Sequence, residues 1–213
     1  MGVLSGAMGY LRFWIEDDAP DQSLEFFERS LEIRRFVPLH PDGEDLETAG
    51  FVPIERPFAD EIPLTNDLFM FDEKVVLGFR VDTISFPKAL IRDMVFHRIL
   101  EHTEKSGDEP GAQTRRAIES SVVHELRRKI LPKTRVTDVV WDLQRREVRF
   151  FGRGQKTAER FVKLFEQTFQ VKLRQSSFAE RAMYADLSLR AKGLLETLQP
   201  QLIFQPQVRV EVN

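Results

Sequence analysis

Apolar and polar residues alternate in several short segments of this 213-residue chain, the pattern expected of half-buried strands. Residues 74–81 (KVVLGFRV) are the strongest example, because a Val, Leu or Phe occupies every second position. The other predicted strands lie at 9–16, 49–54, 67–71, 135–142, 147–151 and 201–212. Residues 143–146 form the short connection of a hairpin.

Apolar residues spaced three or four positions apart predict helices elsewhere. The predicted helices lie at 21–35, 87–105, 112–131, 155–169 and 178–198. Asp21 is the expected N-cap of the first, and its expected buried residues are Leu24, Phe27, Leu31 and Ile33. Pro87 suits the first turn of the second helix, and Pro132 ends the third.

The order of these elements favours an α+β fold. Strands and helices are mixed without strict alternation, so we expect a largely antiparallel sheet packed with long helices rather than a doubly wound sheet. We predict a single domain over residues 1–213, with a hinge near the polar break at 106–111 (SGDEPG).

Composition excludes several classes of protein. The absence of cysteine excludes disulfides, thiol catalysis and cysteine-based zinc sites. No apolar run approaches the roughly 18 residues that span a bilayer, and the first residues do not resemble a signal peptide. We therefore expect a cytoplasmic protein with no membrane contact.

Catalytic and cofactor motifs are weak. His97 and His102 lie five positions apart, on different faces of a predicted helix. The segment FFGRGQKTAERF (150–161) departs from a Walker phosphate loop, although a glycine turn before a helix can hold one phosphate. We expect no cofactor, no metal and no enzymatic activity. A nuclease with convergent carboxylates stays open as an alternative.

Positive charge is concentrated in one part of the chain. Residues 115–174 contain 16 Lys or Arg and 7 Asp or Glu, a charge of +9 in a chain whose net charge is −3. In the helix at 112–131, the series Ile118, Val122, Leu126 and Ile130 should face the core. Arg116, Ser120 and Arg127 fall within about 40° of one another on another face.

The helix at 155–169 repeats this arrangement. Lys156, Arg160 and Lys163 lie within about 60°, opposite its apolar face. Basic faces of this kind bind anions or simply keep a protein soluble, and both interpretations stay open. The candidate DNA-binding residues are Arg115, Arg116, Arg127, Arg128, Lys129, Lys133, Arg135, Arg153, Lys156, Arg160 and Lys163.

Four motifs in order resemble the family of the recombination-associated protein RdgC. GFVPIERPF (50–58) resembles its GWVPP-type segment, and KVVLGFRVDTISFPKAL (74–90) its strand ending in proline. SSVVHELRRKILPK (120–133) is similar to its KDEVLHSLLPR pattern. VVWDLQRREVRFFGRGQKTAERFVKLFEQTF (139–169) resembles its strand, turn, strand and SxKKAED helix.

The resemblance implies an α+β protein that dimerises around duplex DNA, binds without sequence preference and restrains RecA through the DNA. It also implies association with the nucleoid. By position, Arg127, Arg128 and Lys133 flank the family's leucine-proline helix end, and Lys156 matches a lysine of its helix start. The chain is shorter than typical members, so we expect a homodimer rather than a closed ring. The alternative functions are a nucleic-acid enzyme and a protein–protein interaction module.

Overall fold

The computed structural model describes residues 9–16, 23–59 and 65–176, together with Arg190 and Gly193. Its elements are β1 (Leu11–Ile15), α1 (Leu24–Ile33), β2 (Glu47–Val52), α2 (Asn66–Phe69), β3 (Met70–Phe71), β4 (Lys74–Thr83), α3 (Lys88–Ser106), α4 (Ala112–Lys129), β5 (Lys133–Asp142), β6 (Glu147–Phe150), α5 (Gln155–Phe169) and β7 (Leu173–Gln175). The chain divides into two compact units, Met1–Arg174 and Gln175–Asn213.

Seven strands of the described ranges form one sheet in the order β2-β4-β5-β6-β1-β7, with β3 paired to β4 outside this path. The pairs β2–β4, β3–β4, β4–β5, β5–β6 and β1–β6 are antiparallel. The predicted α+β fold is therefore confirmed. The predicted hairpin is also present, because Asp142 pairs with Glu147 across the turn at 143–146.

The core lies on one face of this sheet, beneath α1 and α5. Side chains of a strand alternate between faces, and the odd-numbered residues of β4, such as Leu77 and Phe79, belong to the core cluster. Helix α5 covers them with Phe161, Phe165 and Phe169 at spacings of four. The ring centroids of Phe165 and Phe169 lie 5.2 Å and 5.1 Å from that of Trp141. Aromatic side chains therefore fill the core, as their abundance in the sequence suggests.

Two predicted segments differ in detail. Helix α1 buries Phe27 and Leu31, but Leu24 is 48% and Ile33 69% exposed, so their predicted burial is wrong. The helix contacts the core through a narrow stripe of residues four positions apart. Its N-cap is Ser23, whose side chain accepts a hydrogen bond from Phe26 N; Asp21 lies outside the described residues.

The segment predicted as a strand at 67–71 begins instead with the helical turn α2, and only Met70 and Phe71 pair with β4. This helical turn buries Phe69. A strand that extended back from Phe71 would direct the Phe69 side chain elsewhere. Of the terminal helix and strand predicted at 178–198 and 201–212, only Arg190 and Gly193 belong to the described residues, and both are helical and exposed.

Helices α3 and α4 pack against each other as an antiparallel pair. Gly107, in the left-handed conformation with φ of 79°, ends α3 at the predicted polar break. No residue of α3 is buried, while α4 buries Val122 and Leu126, which do not join the main core cluster. Ile118 and Ile130 are only half-buried. Of the helices in the described ranges, none combines the length and apolar content needed to cross a membrane.

Candidate nucleic-acid interface

The beginning of β5 and the beginning of α5 lie at the same end of the sheet. Phe151 N, in the loop that leads into α5, donates to the carbonyl of Asp138 at 2.9 Å. The loop crosses β5 so closely that a Cβ on Gly152 would lie 3.1 Å from Thr137 Cγ2 and 2.5 Å from Phe150 Cε1. A glycine is needed here because any side chain would displace one of these neighbours. The close crossing sets α5 beside the first residues of β5.

Lys133 and Arg135 stand on the face of the sheet that α5 covers. Both lie an even number of residues from Val139 along β5, so their side chains are on the same face of the sheet as Val139, which belongs to the core. Both are exposed, because they extend past the end of the core. Arg160 of α5 reaches the same end of the sheet and pairs with Glu47 at 2.6 Å.

The register of the strands connects these charges. Glu47 of β2 is opposite Thr83 of β4, and Thr83 is opposite Lys133 of β5. All three positions lie on the α5 side of the sheet by the alternation of their strands. The cation from α5 and the cations from β5 therefore border one surface.

We define the basic end surface by four exposed cations, Lys133, Arg135, Arg153 and Lys156. None of the four forms an ion pair with a carboxylate of the described residues. Arg153 lies on the β1 side, since a Cβ on Gly9 would be 2.6 Å from its Nη2. The sequence predicted all four residues as DNA-binding, and the fold brings them to the same end of the sheet.

The N-terminus of α5 adds positive potential to this surface. Its N-cap, Gly154, offers no side chain to bind the free backbone N–H groups of the first turn. That turn contains no acidic residue. The helix dipole and the free N–H groups favour an anion at this position.

Arg127 requires a correction. It was predicted as a DNA-binding residue on the same helix face as Arg116, but it is only 6% exposed. Its Nε and Nη2 donate to the carbonyl of His40 at 3.3 Å and 3.2 Å, and Nη2 also donates to the carbonyl of Asp45. The guanidinium therefore holds the 40–45 loop against α4, and in this position it is not available to DNA.

The other cations at the end of α4 are exposed but paired. Arg128 Nε lies 3.0 Å from Asp42 Oδ1, and Lys129 Nζ lies 2.6 Å from Glu125 Oε1. The hydrogen bond from Lys129 lowers the pKa of Glu125, with a further contribution from Arg98. These cations also offset the negative end of the helix dipole.

The remaining predicted residues lie farther away. Arg115, at the start of α4, pairs with Glu109 at 3.0 Å and donates to the carbonyl of Pro110 at 2.9 Å. Arg116 borders a cavity of about 600 Å³ between α4 and the 42–46 loop. It is about 18 Å along the helix from Arg128 at 1.5 Å per residue. Lys163 is exposed on α5, about 10 Å along that helix from Lys156.

A second cationic cluster, which helix patterns did not reveal, occupies the opposite face of the sheet. Arg12 of β1 and Arg149 of β6 are direct neighbours in the register, and both contact the buried carboxylate of Glu147. Burial alone would lower the pKa of Arg149, but the hydrogen bond and charge of Glu147 outweigh it and raise the pKa. Their guanidinium carbons lie 5.8 Å and 5.7 Å from the Tyr10 ring centroid. Strand alternation was the signal that could have found this cluster.

The comparisons with known proteins agree on one family. The model described as "RdgC: Putative exonuclease, RdgC" matches residues 12–186. The Recombination-associated protein RdgC of Xanthomonas axonopodis pv. citri is 26% identical over 98 residues, covering 41% of this chain and 33% of the relative. That of Xanthomonas oryzae pv. oryzae matches equally. That of Xanthomonas campestris pv. campestris is 29% identical over 83 residues, covering 34% and 28%. The matched stretch therefore spans about a third of each relative.

Proposed function

The chain belongs to the RdgC family, and on that premise we propose that it binds double-stranded DNA without sequence preference and acts in homologous recombination. Its relatives carry the name recombination-associated protein. The match covers only about a third of each relative. The proposal for this chain therefore has to be supported by its own residues.

The observation that carries the proposal is the basic end surface. Lys133, Arg135, Arg153 and Lys156 are exposed and have no carboxylate partner in the described part of the chain. Cations that neutralise phosphates release condensed counterions, which gives affinity without reading base edges. Unpaired cations contribute most, because a paired one must first give up its carboxylate.

Strand and helix positions make the surface suitable for a rigid polyanion. Lys133 and Arg135 stand on β5 and Lys156 in the first turn of α5, while Arg153 lies in the short loop between β6 and α5. A preformed arrangement lowers the entropy that is lost on binding. The α5 N-terminus adds a position where a phosphate oxygen can accept backbone N–H groups.

The proposal extends to assembly and to the recombinase. A homodimer would double the number of phosphate contacts and so steepen the dependence of affinity on salt. The effect on RecA follows from occupation of duplex DNA, with no direct contact between the two proteins. A location on the nucleoid follows from the same non-specific affinity.

A second candidate function, metal-dependent exonuclease, is favoured by the description of the matching family model. Such an enzyme needs carboxylates that converge on metal ions. Asp142 and Glu147 are buried and directly opposite each other on β5 and β6. Both are occupied, however: Asp142 Oδ1 accepts from Arg145 N at 2.9 Å, and Glu147 binds two arginines. Among the described residues, no group of three or more metal-binding side chains occurs.

Fluorescence anisotropy with two labelled duplexes of unrelated sequence tests the proposal. We expect the two affinities to agree and both to fall as salt is raised. Absence of binding at low salt, or an affinity indifferent to salt, would refute it. Incubation of the same duplexes with Mg²⁺ or Mn²⁺ separates the alternatives, since degradation that Glu147→Gln abolishes would favour the exonuclease.

A further inference from the structure

Leu131 is the most exposed of the large apolar side chains in the described ranges. It is 88% exposed, in the three-residue connection between the end of α4 and the beginning of β5. The preceding residue, Ile130, still donates its N–H to the carbonyl of Leu126 at 2.9 Å, but its backbone is already extended. Pro132 follows, and it restricts the backbone of Leu131 as well as its own. Leu131 is therefore held at the tip of a stiff corner.

Cations stand on both sides of this corner. Arg128 and Lys129 precede Leu131, and Lys133 and Arg135 of β5 follow it. A single exposed leucine is ordinary on a protein surface. Leu131 differs because its corner joins the basic end of α4 to the basic end surface.

The chain spacing fits the two edges of a DNA minor groove. Lys129 and Lys133 are each two residues from Leu131, so each lies at most about 7 Å away along the chain. The minor groove is about 6 Å wide, and a lysine side chain adds enough length to reach a phosphate on its own side. The exposed pair between Lys129 and Glu125 is weak, because ion pairs in water contribute little. Lys129 can therefore exchange that carboxylate for a phosphate.

We propose that Leu131, supported by Pro132, inserts as an apolar wedge between base pairs from the minor groove and kinks the duplex. Apolar side chains that partly unstack one base step in this way bend DNA by about 20–90°. Burial of Leu131 between bases offsets part of the cost of unstacking. This inference rests on the proposed DNA binding. It adds a deformation of the DNA that the cations alone do not require.

The test compares three variants with the wild type on a short duplex that carries a donor and an acceptor dye at its two ends. Leu131→Ser removes the wedge and leaves every charge in place. Leu131→Met keeps an apolar wedge of similar volume. Leu100→Ser is the matched control, because Leu100 is 44% exposed on α3 and is followed by an acidic residue. Thermal melting of each variant shows that the fold is retained.

We expect wild type, Leu131→Met and Leu100→Ser to shorten the distance between the dyes on binding. The affinity of Leu131→Ser for the duplex should fall by no more than about tenfold, because the variant loses the burial of Leu131 but also avoids the cost of unstacking the bases. Its salt dependence should match that of wild type, and the distance between the dyes should stay that of straight DNA. A 2-aminopurine base in the duplex should brighten on binding, except with Leu131→Ser.

Two results would overturn the wedge while leaving the proposed function intact. One is a wild-type complex in which the DNA stays straight and 2-aminopurine stays quenched. The other is a Leu131→Ser variant that bends DNA as the wild type does; a change of protein mass in sedimentation would then assign Leu131 to a protein interface. Failure of all four proteins to bind the duplex would instead refute the proposed function itself.

Discussion

Removing two cations of the basic end surface should change the salt dependence of DNA binding by a predictable amount. We consider Arg135→Gln combined with Lys156→Gln, which takes one cation from β5 and one from the start of α5. If four unpaired cations contact phosphates, log affinity falls with log salt at a slope of about −3.6, and the double variant should show about −1.8. Between 50 and 200 mM salt, the wild-type affinity then falls by roughly 150-fold and that of the variant by roughly 12-fold.

A matched control removes the same charge from the other end of the same sheet. Lys74 is opposite Asp142 in the register, and Arg145 is exposed in the adjacent turn. Lys74 and Thr83 are nine residue steps apart along β4, a distance of about 30 Å, and Thr83 pairs with Lys133. Lys74→Gln combined with Arg145→Gln therefore lowers the net charge equally and should keep the slope of the wild type.

Anisotropy titrations at five or more salt concentrations measure each slope. The reasoning fails if the control flattens the slope as much as the double variant does, because binding would then follow net charge rather than a surface. It also fails if the double variant keeps the wild-type slope. A wild-type slope near −5 would indicate about six phosphate contacts, and therefore participation of cations beyond the four of one basic end surface, from the same chain or from a second protomer.

Three further predictions concern neighbouring residues and the core. Glu125→Gln releases Lys129, and we expect the slope of log affinity against log salt to be steeper by up to about 0.9. In the wild type the pKa of Glu125 lies below its ordinary 4.5, so the ion pair holds at neutral pH and is lost only as pH falls through that lowered pKa. Carbon NMR of the Glu125 carboxyl can follow this titration. Arg127→Gln should lower the free energy of unfolding by about 2–4 kcal/mol in urea titrations, because the carbonyls of His40 and Asp45 lose the charged donor that holds their loop against α4. Unchanged stability with a flatter salt slope would instead place Arg127 at the DNA. Phe161→Ala should cost about 3–5 kcal/mol by the same measurement, and a loss below 1 kcal/mol would contradict the packing of α5.

The local elements were predictable because each follows from a short stretch of sequence. The alternation in β4 and the spacing of four between Phe161, Phe165 and Phe169 are properties of neighbouring residues, and the structure places both as predicted. The same holds for the hairpin at 143–146 and for the break between α3 and α4. Errors arose where a residue borders an element, as with Ile33 in the last turn of α1, since periodicity does not show how wide the buried stripe is.

The candidate site was predictable as a set of residues but not as a surface. Helical geometry correctly placed Arg127 off the apolar series of α4, yet it gave no information about the loop that packs there. That loop comes from residues 40–45, more than 80 positions earlier in the chain. Only the tertiary fold shows that Arg127 binds backbone carbonyls while Lys133, directly after Pro132, has no carboxylate partner among the described residues. For the same reason, residue spacing in the sequence could not predict that Arg135 lies near the start of α5, because that proximity depends on the register of β5 in the sheet.

The distribution of ion pairs determines how the remaining cations should behave toward DNA. Arg128, Lys129 and Arg160 border the basic end surface, and each is held by one carboxylate. The exposed pairs of Arg128 and Lys129 contribute at most about 1 kcal/mol each, so a phosphate at a comparable distance can compete with the carboxylate. Where the phosphate displaces the carboxylate, the carboxylate remains near the DNA and lowers the affinity; where it does not, the salt slope counts one contact fewer. Under the proposed function, such a surface would bind through its unpaired cations first, and its carboxylates would weaken the complex. The salt slope counts the contacts that form, whereas the affinity at one salt concentration also reflects the carboxylates, so only the two measurements together separate these contributions.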